Sequence, residues 1–291
     1  MRSIAQPGRP APERIQWAEA RGRAFSLTLQ AGLPLLEAVR QGFAAEGFAG
    51  GVLNIEGGAF GPFAYVMPAL STTGENAAFY SETFRPDGIT RLRTGAMTFG
   101  ERDRAPFFHC HALWTEADGR AGGGHILPEE TIIAEPFVME AFGIDGAKFR
   151  AEPDPETNFK LFGPVPSAAT AKAGATSRAY ALRLRPNQDF AGALEVFCRE
   201  RRIAKAKLHG GVGSIIGARF DDGRMIEPFA TEMAVRSGAI VSDANGALQA
   251  TLEVALVDYT GGLAIGRLVR GANPVLMTME LVLEVLGEAT G

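Results

Sequence analysis

Three of the four histidines in this chain fall within seventeen residues, as Phe108-His109-Cys110-His111 and Gly122-Gly123-Gly124-His125. A strand projects residues i and i+2 to the same side, so His109 and His111 present their imidazoles together, and a following antiparallel strand can bring His125 beside them. Three imidazoles on one face suit a divalent transition metal, most simply Zn²⁺, with a fourth position left for water, substrate or a carboxylate. The turn decides whether they meet. A three-residue loop Ala117-Asp118-Gly119, with Gly119 left-handed, pairs Glu116 with Arg120 and puts His111 opposite His125. A two-residue Asp118-Gly119 turn would shift the register by one and send His125 to the other face. The alternative to a metal site is three strand histidines with ordinary hydrogen bonds. Cys110 points away from its neighbours and reads as core packing.

The elements that would position this cluster occur twice. Arg23-Ala24-Phe25-Ser26-Leu27-Thr28-Leu29 aligns with Arg178-Ala179-Tyr180-Ala181-Leu182-Arg183-Leu184 at an offset of 155, and both alternate as half-buried strands do. The same offset carries Leu35, Val39 and Phe43 onto Phe190, Leu194 and Cys198, a helical stripe in each copy. Later segments match at smaller offsets: Phe79-Tyr80-Ser81-Glu82 with Phe229-Ala230-Thr231-Glu232 at 150, and Gly124-His125-Ile126-Leu127 with Gly266-Arg267-Leu268-Val269 at 142. The apolar ends of the copies, Thr131 to Phe142 and Pro274 to Leu286, read as buried strands, and the second also as a helix. This predicts an α/β (α+β) fold of two tandem domains, 15–150 and 177–288, each a mostly antiparallel sheet with a packed helix. Residues 1–14 read as a flexible arm. Residues 151–176, with prolines at 153, 155, 164 and 166 and a small-residue run from Ala168 to Thr176, read as an exposed connector.

The repeat supplies an internal comparison. At the 142 offset His109, His111 and His125 become Thr251, Glu253 and Arg267, so a triad metal would occur once per chain. Glu253 and Arg267 are expected to face each other as an opposite-charge pair. Two cysteines give no disulfide framework, no segment is apolar enough to span a bilayer, and Met1 to Arg14 lacks the apolar core of a secretory signal; a cytoplasmic protein without membrane contact is expected. A net charge of −4 argues against indiscriminate polyanion binding.

The Arg-x-Phe-x-Leu-x-Leu strand, the Leu35-Leu36-Glu37-Ala38-Val39 helix, the Phe-x-His-x-His strand and the Gly-Gly-His-Ile-Leu strand together resemble the plants-and-prokaryotes conserved (PPC) domain. The second copy, through Gly210-Gly211-Val212-Gly213-Ser214 and Thr231-Glu232, resembles the same domain with its histidines lost. The resemblance implies a mostly antiparallel α/β fold, assembly as trimers, and a metal at the histidine triad. The wider fold is similar to that of acetolactate decarboxylase, whose zinc is held by an H-x-H pair and a third histidine. Many family members carry a DNA-binding label.

Residue by residue, DNA binding finds little support. Gln6-Pro7-Gly8-Arg9-Pro10 is a minor-groove hook lacking one core arginine, and the run Arg199, Arg201, Arg202, Lys205, Lys207 begins where a helix should end, where cations are favourable without a ligand. Gly210 to Gly217 lacks nucleotide-loop spacing and reads as a strand and tight turn; His209 reads as a satisfied polar residue. Arg120 could attract an anion or be an ordinary turn arginine. Two functions of different class follow. One is a metal-binding, oligomeric module, trimer favoured, acting in binding or regulation, with DNA as a partner. The other is a zinc-dependent enzyme, decarboxylase- or lyase-like, acting on a small carbonyl or carboxylate compound, with Glu82 or Glu56 handling protons beside the metal.

Overall fold

The computed structural model describes residues 1–170 and 173–289. The first repeat contains β1 (Ile15–Leu29), α1 (Leu35–Glu46), β2 (Gly51–Ile55), β3 (Ala59–Phe60), β4 (Tyr65–Val66), β5 (Pro68–Ala69), β6 (Phe79–Tyr80), β7 (Thr90–Arg102), β8 (Ala105–Thr115), β9 (Ala121–Ile126), β10 (Ile133–Glu135) and β11 (Phe137–Asp145). A hairpin follows, β12 (Ala147–Pro153) and β13 (Lys160–Pro166). The second repeat contains β14 (Ser177–Leu184), α2 (Phe190–Glu200), β15 (Ile203–Arg219), β16 (Met225–Ser242), β17 (Leu248–Asp258), β18 (Leu263–Arg267) and β19 (Val275–Glu288). The architecture is mostly antiparallel sheet with one helix per repeat, the α+β class expected.

Pairing follows the same plan in both halves: β1-β11-β2-β7-β8-β9 in the first, β14-β19-β15-β16-β17-β18 in the second. The sequence offsets reappear in the register, Ala141↔Leu53 matching Leu283↔Leu208, and His111↔His125 matching Glu253↔Arg267. The helical stripes are fully buried: Leu35, Val39 and Phe43 on α1, Phe190, Leu194 and Cys198 on α2. Gly47 ends α1 in the left-handed conformation, φ 85°, and the Asp189 side chain caps α2 by accepting from Gly192 N at 2.8 Å. One match fails in place. Phe79-Tyr80 lies in a two-residue strand outside the main sheet, whereas Phe229 to Glu232 lies within β16, whose counterpart is β7. The Pro274 to Leu286 segment is the strand β19.

β1 joins the halves, pairing with β14 through Ile15 to Gly22 and with β11 through Arg21 to Leu29. Where β7 faces β15 and β16, the packing residues are Ala96, Val212 and Ala234, and such small side chains let backbones approach closely. Each repeat has its own apolar core around its helix.

Two segments differ from the sequence expectation. Residues 1–14 lie across the second repeat: Ile4 exchanges two 2.9 Å hydrogen bonds with the Asn187 side chain, and Arg14 holds Glu156 through two N–H groups at 2.8 Å. Residues 151–166 are no exposed connector, because β12 and β13 form a hairpin whose turn buries Asp154, Glu156 and Thr157. Arg185 and Arg183 reach Asp154 at 2.6 and 2.9 Å and neutralise that turn. The prolines fit because β13 ladders with β12 alone and is an edge strand. Of the small-residue run, residues 171 and 172 lie outside the described residues.

Candidate metal centre

The β8–β9 turn is the three-residue form. Glu116 N donates to Arg120 O at 2.8 Å and Gly119 N to Glu116 O at 2.9 Å, with Gly119 at φ 89°. His111 therefore faces His125, and His109 follows on the same side of β8. The three ring centroids are 4.5, 4.9 and 5.4 Å apart, and one nitrogen of each ring lies within 4.8 Å of the other two. Among the described residues this is the only such cluster of potential ligands. Cys110 points into the core, fully buried, and burial pushes its thiol pKa up.

The partners of these rings come from the second repeat. Glu280 of β19 sits with both oxygens 3.0 Å from His109 Nδ1, and Met233 O of β16 lies 3.1 Å from His111 Nδ1. Both Nδ1 atoms are thus engaged by acceptors, which turns the two Nε2 atoms toward each other, 3.0 Å apart. Either a proton on His109 or a metal ion between them satisfies that contact. Two imidazole nitrogens on a tetrahedral ion stand about 3.3 Å apart, given Zn–N bonds of about 2.0–2.1 Å. His125 Nδ1 and Glu232 Oε2 are buried without hydrogen-bond partners, and Glu232 Oε1 is 3.7 Å from His111 Nε2. Orphaned donor atoms of this kind around three imidazoles fit a cation.

Electrostatics favours the neutral form of His111 and His125. Burial first, then the neighbouring His109 and His125, holds His111 well below the ordinary imidazole range; burial and then His109 and Arg102 do the same to His125. Burial pushes the Glu232 carboxyl well above the usual range. Tyr80 stands edge-on to His125 at 5.3 Å, and burial, with Glu232 and Glu280 nearby, raises its phenol.

His109 and His125 line a cleft of about 700 Å³. Phe107, Phe159, Leu161 and Phe162 give it apolar walls, and Arg102 lies along its side. A smaller pocket behind the rings reaches Glu232 and Ser214.

Glu82 and Glu56 do not belong here. Glu82 is exposed, and Glu56 has a side chain 62% exposed, with Arg236 at 3.7 Å and Thr94 Oγ1 at 3.2 Å. Neither lines the cleft. Arg120 is held by Glu116 at 2.5 Å, which accounts for it without a ligand. His209 is satisfied by Glu284 at 2.6 Å and stacks on Phe142. Gly210 to Gly217 forms no tight turn; β15 runs through it with a register shift between Leu208 and Gly211. The glycines are needed for close approach, since a Cβ on Gly211 would meet Glu280 O at 2.4 Å. Sequence reasoning missed Glu232 and Glu280, although the match of Glu82 to Glu232 pointed to the right segment in the wrong copy.

The model of the Plants and Prokaryotes Conserved (PCC) domain, the PPC domain named above, matches residues 171–287. No curated protein matches the chain. Solved structures that are similar include a PPC protein of Pyrococcus horikoshii, 17% identical, covering 52% of this chain and 97% of its own, TM-score 0.39. A metal-containing protein of Archaeoglobus fulgidus is 19% identical, covering 49% and 94%, TM-score 0.38. A protein of Ralstonia eutropha JMP134, named "Putative DNA-binding protein", is 15% identical, covering 48% and 90%, TM-score 0.36. Residues 171–287, the second repeat, are what this chain has in common with the Plants and Prokaryotes Conserved domain family.

Proposed function

We propose that His109, His111 and His125 hold one divalent transition metal ion per chain, Zn²⁺ in the simplest case, and that the adjoining cleft brings a small carbonyl or carboxylate compound to it. The observation that carries this reading is the pair of inward-facing Nε2 atoms 3.0 Å apart, with both Nδ1 atoms already engaged. Such an ion, when bound, polarises a carbonyl or acidifies a bound water. The chain supplies the rest. Glu232 holds or releases a proton beside His111, the aromatic walls exclude water, and Arg102 faces an anionic group. Its guanidinium lies over the Phe107 ring at 5.2 Å, and its nearest carboxylate, Asp103, is 3.8 Å away and already held by Lys160 at 2.6 Å. A guanidinium so placed suits a carboxylate. The enzyme reading gains from the cleft being lined by His109 and His125, which a purely structural metal would not require.

A second reading, binding or regulation on DNA, draws on the label carried by the Ralstonia protein and on the exposed cations Arg199, Arg202, Lys205 and Lys207 at the end of α2 and along β15. Against it, Arg201 stacks on Trp17 and Phe197, and the backbone of the hook-like Gln6 to Pro10 segment is tied to Glu156 through Gly8. Assembly as a homotrimer belongs to the proposal and is checked by sedimentation.

Metal analysis of purified protein, as isolated and after Zn²⁺ loading, tests the main reading against a His109→Ala, His111→Ala double variant. About one ion per chain, lost in the variant, is expected. A folded wild-type protein that retains no metal after loading would overturn it.

A further inference from the structure

We propose that Glu280, carried by the second repeat, is a positioning residue that fixes His109 for metal binding, so that the repeat without histidines sets the affinity of the repeat that has them. The inference rests on the metal reading above and adds a residue and a direction of dependence to it.

The geometry is direct. Both Glu280 oxygens lie 3.0 Å from His109 Nδ1, and the residue is fully buried. A carboxylate in that place holds the imidazole in the Nδ1–H tautomer, turns Nε2 toward the ion and raises its basicity as a ligand. The placement is also over-determined. Glu280 stands opposite Arg183 in the β14–β19 ladder. Arg183 is itself buried, donates to Thr278 Oγ1 at 3.2 Å and meets Asp154 at 2.9 Å. On the other side β15 approaches Glu280 through Gly211.

The internal repeat shows that this acid is not a general feature of the fold. At the 142 offset Glu280 corresponds to Val138 in the first repeat, and Val138 is 54% exposed. At this position the carboxylate is present only in the strand that faces His109. The other ring partner, Met233 O, comes from the second repeat as well. Metal bound to β8 and β9 is thereby linked through two imidazoles to β19 and β16, and binding is expected to stabilise the face between the repeats.

The test measures Zn²⁺ affinity by competition with a chromophoric chelator for wild type, E280Q and E280A, with E284Q as a control in the same strand. Glu284 also holds a histidine, His209, away from the triad. Loss of the second-sphere carboxylate is expected to weaken Zn²⁺ by about 10–100-fold in the Glu280 variants and not in E284Q. The rise in melting temperature on adding Zn²⁺ should shrink in parallel. A further measurement needs no variant: ¹⁵N spectra of the zinc-loaded wild type should show His109 protonated at Nδ1. Folded Glu280 variants with wild-type affinity, or His109 bound to zinc through Nδ1, would overturn the proposal and leave the triad reading intact. Absence of zinc binding by the wild type would instead remove that reading.

Discussion

Asp154→Asn is the sharpest test of the structured hairpin. Asp154 accepts from Thr157 N and Oγ1 at 3.0 Å and pairs with Arg185 at 2.6 Å and Arg183 at 2.9 Å, with only 2% of its side chain exposed. The amide keeps the shape and removes the charge, leaving Arg183 in a place where 4% of its side chain is exposed. Removing one partner of a buried ion pair costs about 3–5 kcal/mol, because the other charge stays desolvated. Unfolding entropy of about 2.1 cal/mol/K per residue gives roughly 0.6 kcal/mol/K for a cooperative chain of this length, so the melting midpoint should fall by about 5–8 °C. Calorimetry and urea unfolding of wild type and D154N provide the assay. Asp103→Asn is the control, since Asp103 pairs with Lys160 but has a side chain 70% exposed, and its midpoint should stay in place. If D154N melts with the wild type, residues 151–166 behave as an exposed connector and the buried network is wrong.

Other outcomes follow from the same geometry. In metal-stripped protein His111 and His125 are lowered by burial, so the unfolded chain takes up protons that the folded one refuses, and stability declines as pH falls below about 6.5. Glu232 is raised by burial and opposes that decline down to about pH 4.5, so E232Q should steepen it by up to about 1.4 kcal/mol per pH unit; equal slopes would refute the assignment. Arg102→Met should weaken binding of a small carboxylate probe such as oxalate to the zinc-loaded protein by about tenfold, read by calorimetric titration, while metal content is unchanged. Glu253→Ala breaks a 3.5 Å surface pair with Arg267 and should cost no more than about 0.5 kcal/mol in denaturant unfolding. Burial raises the thiols of both cysteines, Cys198 to about 12, so neither should react with a disulfide reagent at pH 8 until the chain is unfolded.

Local rules made half of the site legible. Strand alternation and a three-residue turn sufficed to align His111 with His125, and the 142 offset foretold Glu253 opposite Arg267. The helical stripes were readable because apolar periodicity is itself the signal. Glu232 and Glu280 were not, since they reach the triad only through stacking of one repeat on the other, more than a hundred residues along the chain. No spacing rule encodes that packing. Residues 151–166 misled because proline marks both linkers and edge strands, and the deciding arginines, Arg183 and Arg185, lie in a different strand. Gly210 to Gly217 misled because glycines that permit a bulged strand look the same in sequence as those that make a turn.

The family match begins at residue 171, which invites anyone dissecting the protein to express 171–291 alone. The shared strand β1 argues against that cut. Its first half satisfies the amide and carbonyl groups along one side of β14, and its Trp17 lies under Arg201. A fragment without it would display a long, bare sheet margin rich in Ala, Leu and Tyr, the kind of surface on which chains stick to one another. Insolubility of such a piece would report the missing neighbour strand, and appending residues 15–22 through a flexible tether should restore it.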